Sequence, residues 1–229
     1  MTTALTVLFW VIVAANAVFL VVLLNQRAVG EDEYDQLLPD LDRVNSADNA
    51  VAGGAIAVFL LTIAIAVLFI IWMWRAANNN EALGRRNPRL SDGWAIGGWF
   101  IPVANFVLPV LIMQDLWRGS DASVPRDHPD WRQAPGSALI GVWWGLLVAS
   151  VVGRFASRAN ANAAGEFESF SDYRASNTLA VLATLLAIGA AVLAVSVVRR
   201  LARRQERCLE AQQVAWQQRA PQGPPPAPA

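Results

Sequence analysis

Apolar residues in this chain are gathered into long unbroken runs. Residues 6–24, 51–74, 138–152 and 179–198 contain no Asp, Glu, Lys or Arg. A helix rises about 1.5 Å per residue and a bilayer core is about 30 Å thick, so roughly 20 apolar residues are needed to cross it. The pattern predicts a polytopic all-α bundle of four transmembrane helices. A fifth apolar stretch, residues 94–113, is interrupted by Gly97, Gly98, Pro102, Asn105 and Pro109. Each proline removes a backbone donor and crowds the preceding turn. Broken backbone at membrane depth persists only where protein or water satisfies it. Residues 94–113 therefore read as a re-entrant or interfacial segment, with five true spans as the alternative.

Arginine placement orients the spans. All 18 basic residues are Arg. Residues 25–50 hold seven acidic residues against Arg27 and Arg43, whereas Arg75, Arg85, Arg86 and Arg89 follow the second run and six arginines follow the last. Cytoplasmic segments collect basic residues. Four spans with both termini inside place thirteen arginines on the cytoplasmic side; five spans place eleven there and put the acidic segment inside as well. The first run contains Ala15-Asn16-Ala17, which resembles a signal cleavage site, but no basic residue precedes the run and it continues to Leu24. A retained helix is expected.

Composition agrees with this architecture. The chain is 55% hydrophobic and 16% charged, against about 25% charged for a soluble domain. The formal net charge of zero offers no field for nucleic acid. The single Cys208 and single His128 supply neither a disulfide nor a metal-ligand spacing. No HExxH, GxSxG or Walker-type loop is present. No catalytic, cofactor or metal site is expected, and the protein reads as a non-enzymatic membrane protein acting by interaction. A small oligomeric transporter or channel is the alternative.

One block is more specific. Trp74-Arg75-Ala76, Asn79, Leu83-Gly84, then Gly93-Trp94-Ala95-Ile96-Gly97-Gly98-Trp99-Phe100-Ile101-Pro102-Val103-Ala104-Asn105, Pro109, Asp115-Leu116-Trp117-Arg118 and Trp143-Trp144 follow one another. This pattern resembles the actinobacterial integral membrane family called domain of unknown function 4328, over about residues 51–198. Family members often carry polar or basic residues after the second proline. Val110 and Leu111 stand here instead, which places this segment deeper or against another helix. The resemblance implies a multi-span membrane domain and no particular activity.

Several positions invite a role beyond span formation. Arg75 follows Trp72 and Trp74 and is expected to anchor the helix end at the headgroups, with an ion pair to Asp115 as the alternative. Asp115 and Arg118, three residues apart, can also pair with each other. The Asn105 amide is expected to satisfy backbone left open by Pro102 and Pro109, or else to face a ligand in a broken-helix cavity. Asn16 is a lone polar group suited to an interhelical hydrogen bond. Gly141, Gly145, Ala149 and Gly153 form a small-residue stripe, matched by Ala183, Ala187 and Ala191 in the last run. Packing of these two helices in one subunit, or a homo-oligomer interface, would use it. Residues 1–198 thus form a transmembrane domain. Residues 199–220 form a basic cytoplasmic helix expected to lie on anionic inner-leaflet lipids, and the Pro-rich residues 221–229 a disordered tail. A homo-oligomer or a protein partner is the remaining class of contact.

Overall fold

The computed structural model describes residues 1–34, 36, 38–164 and 170–219. The Pro-rich tail expected to be disordered lies outside them. The described chain is helical: α1 (Thr2–Tyr34), α2 (Leu41–Ala82), a one-turn α3 (Trp94–Gly97), a 3-10 turn at Ala104–Phe106, α4 (Leu108–Gly119), a second 3-10 turn at Trp131–Gln133, α5 (Ala138–Ala164) and α6 (Phe170–Arg219). Four of these, α1, α2, α5 and α6, are long and apolar enough to cross a membrane.

Each spanning helix overruns its apolar run, because intrahelical hydrogen bonds satisfy the backbone whether or not the side chains are apolar. Specific residues set the ends. Asp40 accepts from the backbone N–H groups of Asp42 and Arg43, both at 3.1 Å, and so caps α2. At the other end of α2, Gly84 takes φ +77°. Its N–H donates to the Glu81 carbonyl and that of Arg85 to Asn80, the paired bonds of a Schellman terminus.

The Pro-broken stretch is not one helix. It runs through α3, a 3-10 turn and the start of α4. Pro102 lies in the irregular part and is exposed. Pro109 does not break a helix as expected: it occupies the first turn of α4, where its missing donor would be unused anyway. Phe100, Val103, Phe106 and Val107 are all at least half exposed, as suits a segment lying in the interface.

The chain divides into two compact units. Unit 1 comprises Met1–Trp72 and Ala138–Val198, and unit 2 comprises Met73–Ser137 and Arg199–Ala229. Unit 1 holds the apolar runs. Within it Phe69 meets Phe9 edge-on at 6.2 Å and packs on Trp143 at 5.6 Å. Gly54 lies under the Phe19 ring, where a Cβ would come within 2.8 Å of the side chain. The last turn of α1 is tied to the first turn of α2: Arg43 donates to Glu33 at 2.7 Å and to Asp32 at 3.1 Å.

Candidate functional site

Unit 2 is organised around Arg85, which the Schellman turn of α2 delivers into a buried position, 2% exposed. Among the described residues its guanidinium has no carboxylate partner. It donates instead to the carbonyls of Gly119 (2.8 Å), Pro125 (2.6 Å), Asp121 (3.1 Å) and Val124 (2.9 Å), and approaches Cys208 Sγ at 3.7 Å. The planar fork of donors lets one side chain close an entire loop onto the end of α4. Gly119 is glycine for a reason of space, since a Cβ there would collide with the Asn80 amide. Cys208 is buried. His128 Nδ1 accepts the N–H of Asp130 at 3.1 Å.

The α6 residues of unit 2 join this core. Gln205 donates to the Ala76 carbonyl at 2.9 Å and Gln212 to that of Leu83 at 3.0 Å. Arg204 pairs with Asp121 at 3.1 Å, and its guanidinium lies 4.4 Å from the Trp117 ring centroid. The Ser123 hydroxyl, bonded to Asp121 at 2.7 Å, is the main cause that draws the Asp121 carboxyl below its ordinary range, with Arg204 adding to it. Arg199, Arg200, Arg203 and Arg207 remain exposed.

A partly open cavity of about 700 Å³ lies within unit 2. Buried Ala77, Ala95, Ile112 and Leu116 supply its apolar lining. Its polar wall includes Glu81, Asp92, Asp115, Arg86, Arg126 and Asp127. Asp127 engages Arg86 at 3.1 Å and Arg126 at 3.7 Å. Asp115 pairs with Arg118 at 3.4 Å and Arg89 at 3.9 Å; burial pushes its carboxyl up, against the pull of those arginines and Arg132. Burial, and then the charge of Glu81, likewise raise Asp92. Glu81 and Asp92 make no ion pair among the described residues. Two wall residues, Asn87 and Asp127, adopt the left-handed conformation that Asn and Asp tolerate best. Among the described residues no His, Cys, Asp and Glu group is placed to hold a metal ion.

The positions singled out from sequence fare unequally. Asp115 and Arg118 do pair, so the alternative Arg75–Asp115 bridge is replaced, and Arg75 is exposed. Asn79 donates to Gln205 Oε1 at 3.4 Å. Asn105 makes no side-chain hydrogen bond among the described residues; only its backbone N–H is engaged, with Ile101. The amide role expected of it is therefore absent there. Among the described residues nothing lies within 4 Å of a Cβ built on Gly141 or Gly145, and Ala149 is exposed. Of that stripe only Gly153 packs as expected, with a built Cβ 3.0 Å from Ala183. Four-residue spacing advances about 40° per step around a helix, so Gly153 faces about 120° away from Gly141. The same helix pair meets again where Gly189 faces Leu146.

Sequence reasoning missed Arg85, Asn80 and Gln205, and one residue of unit 1. Arg154 of α5 donates to Asn16 Oδ1 at 2.9 Å, while Asn16 Nδ2 donates to the Ile12 carbonyl at 2.8 Å. Asn16 thus makes the interhelical bond expected of it, but with an arginine. The signal was available: residues 138–152 span only about 22 Å as helix, too short for the bilayer. A spanning α5 must therefore draw in Arg154.

The family model described as Domain of unknown function (DUF4328) matches residues 35–203. No curated protein and no solved structure matches the chain.

Proposed function

Because the chain belongs to the DUF4328 family, a grouping described only as a domain of unknown function, we propose from its own geometry that it is a non-enzymatic interaction protein of the bacterial plasma membrane. It crosses four times with both termini cytoplasmic, and the segments of unit 2 form its recognition part. The arginine distribution supports that orientation. Exposed Arg199, Arg200, Arg203 and Arg207 suit anionic inner-leaflet lipids, at about 1 kcal/mol per basic residue near the surface.

The observation that carries the reading is the cavity of unit 2, lined in part by buried Ala77, Ala95, Ile112 and Leu116, with Glu81 and Asp92 on its wall and in no ion pair among the described residues. Such a site suits a basic side chain of a cytoplasmic protein segment: the apolar lining takes the methylene stem and the carboxylates take the charge. A photo-crosslinking residue at Ser91, on the cavity wall, tests it in cells. A discrete protein adduct should form, and Asp92→Arg, which reverses the charge on the wall, should abolish it while thermal stability in detergent is kept. An adduct indifferent to Asp92→Arg would count against the cavity.

A second reading, a small oligomeric transporter or channel, draws on Arg154 beside Asn16 within the spanning helices, since ionisable groups at depth commonly mark transport paths. Ion flux into proteoliposomes that disappears in Arg154→Gln would favour it over the first.

A further inference from the structure

Asn16 stands inside the charge-free run of α1, about 15 Å of helix rise from Thr6 and about 12 Å from Leu24. Arg154 is bonded to it at 2.9 Å, so its guanidinium belongs to the same depth. Arg154 has no ion pair among the described residues. Arg158, one turn further along α5, has none either, and residues four apart lie on one helix face. Two positive charges thus lie one turn apart on α5, with no carboxylate paired to either among the described residues. An arginine at the centre of a spanning helix costs at least about 2.5–3.5 kcal/mol. One neutral amide oxygen does not neutralise it.

Polar groups continue from this pair toward one end of unit 1. Ser157 Oγ donates to the Ser176 carbonyl at 2.8 Å, and Asn160 Nδ2 to Ser176 Oγ at 2.8 Å and to the Asp172 carbonyl at 3.1 Å. Nearer the C-terminal end of α1, Asn177 donates to the Leu23 carbonyl at 3.2 Å and Tyr173 to that of Gln26 at 2.7 Å. None of these hydrogen bonds involves the guanidinium of Arg154 or Arg158. By the arginine distribution this end faces outward.

We propose that Arg154 and Arg158 form a binding site for a phosphate-class oxyanion. Guanidinium forks match paired oxygens in charge-assisted bonds, and an oxyanion between them offsets both the burial of Arg154 and its repulsion from Arg158. The same chemistry is offered by the headgroup phosphate of an outer-leaflet phospholipid and by a free phosphate in solution.

Full-length protein in neutral detergent distinguishes the sources. Thermal unfolding is followed with inorganic phosphate added at constant ionic strength, and phosphatidylglycerol adducts are counted by native mass spectrometry. A rise in melting temperature with phosphate alone identifies a free-anion site. A retained lipid adduct without a phosphate effect identifies a headgroup site. Either signal should weaken about tenfold or more in Arg154→Gln, since charged hydrogen bonds are lost, and severalfold in Arg158→Gln. It should persist in Arg132→Gln, a change to an exposed arginine of unit 2. Arg158 is exposed, so its variant reports even where Arg154→Gln folds poorly. Binding that is absent in the wild type, or unchanged in Arg158→Gln, overturns the proposal, as does equal loss in Arg132→Gln.

Discussion

The Nε–H of Arg85 donates to the Gly119 carbonyl at 2.8 Å, tying the turn after α2 to the last residue of α4. Three further carbonyls, of Asp121, Val124 and Pro125, take the remaining donors. The loop after α4 has little regular structure of its own, so these bonds replace a ladder. Arg85→Met keeps the apolar stem and orphans the carbonyls. At about 1–3 kcal/mol for a buried unsatisfied group, the loss should be about 3 kcal/mol or more. Arg85→Lys should not restore it, because a single ammonium cannot reach four acceptors in one plane. Thermal unfolding in detergent measures both, and a lysine variant as stable as wild type would contradict the fork argument.

A packing prediction separates two glycines of one stripe. A Cβ at Gly153 already lies 3.0 Å from that of Ala183, whereas one at Gly145 meets nothing within 4 Å. Gly153→Leu should therefore force α5 from α6 and lower stability by about 1–3 kcal/mol. Gly145→Leu should be close to neutral in the monomer. If Gly145→Leu instead shifts the oligomeric state on size exclusion, the open part of the stripe is an interface between copies.

Two carboxyls of unit 2 make opposite predictions about pH. Asp115 is raised by burial, so the folded state holds its proton more tightly than the unfolded chain does. The stability this contributes is fully present below the unfolded value of about 3.9 and is lost as pH rises through the higher folded value. Asp121 is lowered, first by the Ser123 hydroxyl bond. Its contribution is present above about pH 3.9 and lost as pH falls through the lower folded value. Asp115→Asn should flatten the fall in melting temperature as pH rises above about 4. Asp121→Asn should flatten the acid limb below about pH 4. Melting curves across this range give both slopes.

Three of the four spans could be read from sequence because a charge-free run of bilayer length has few other uses, while residues 138–152 are short and α5 draws in Arg154 as well. Their ends could not, because helices α2 and α6 continue as polar helices held by Gln205, Gln212 and Asn79, whose partners are distant in sequence. Asp115 and Arg118 were legible as a local pair, three residues apart on one helix. Arg85 was not: Arg85 and Arg86 look alike in sequence, yet one is buried among carbonyls and the other is mostly exposed on Asp127. Only the Leu83-Gly84 helix stop hinted that the next residue turns inward. The small-residue stripe misled because a four-residue repeat drifts around the helix, so its members never shared one neighbour.

The stacking of Arg204 on Trp117, with Asp121 at 3.1 Å, predicts that these three side chains act together. The pair is partly buried, and a cation over an indole contributes about 0.5–2 kcal/mol. Trp117→Leu should weaken the Arg204–Asp121 coupling in a double-mutant cycle, since the ring fixes the guanidinium. A coupling unchanged by Trp117→Leu would mean that the ion pair orients itself.

Asn105 gives the sharpest contrast between sequence and structure. Read from the flanking prolines, its amide should satisfy open backbone, and its loss should cost about 1–3 kcal/mol. In the fold its side chain is half-buried and makes no hydrogen bond among the described residues, while Pro109 sits in the first turn of α4, where no donor is missed. Asn105→Ala should therefore change stability by less than about 0.5 kcal/mol, the usual size of a substitution away from packed or bonded features. Because the variant should fold normally, it also isolates function. Unaltered flux in proteoliposomes together with unaltered crosslinking at Ser91 assigns Asn105 no part in either reading. Altered flux in a fully folded Asn105→Ala protein would show that the Pro-broken segment lines a pathway and would place the transporter reading ahead of the interaction protein.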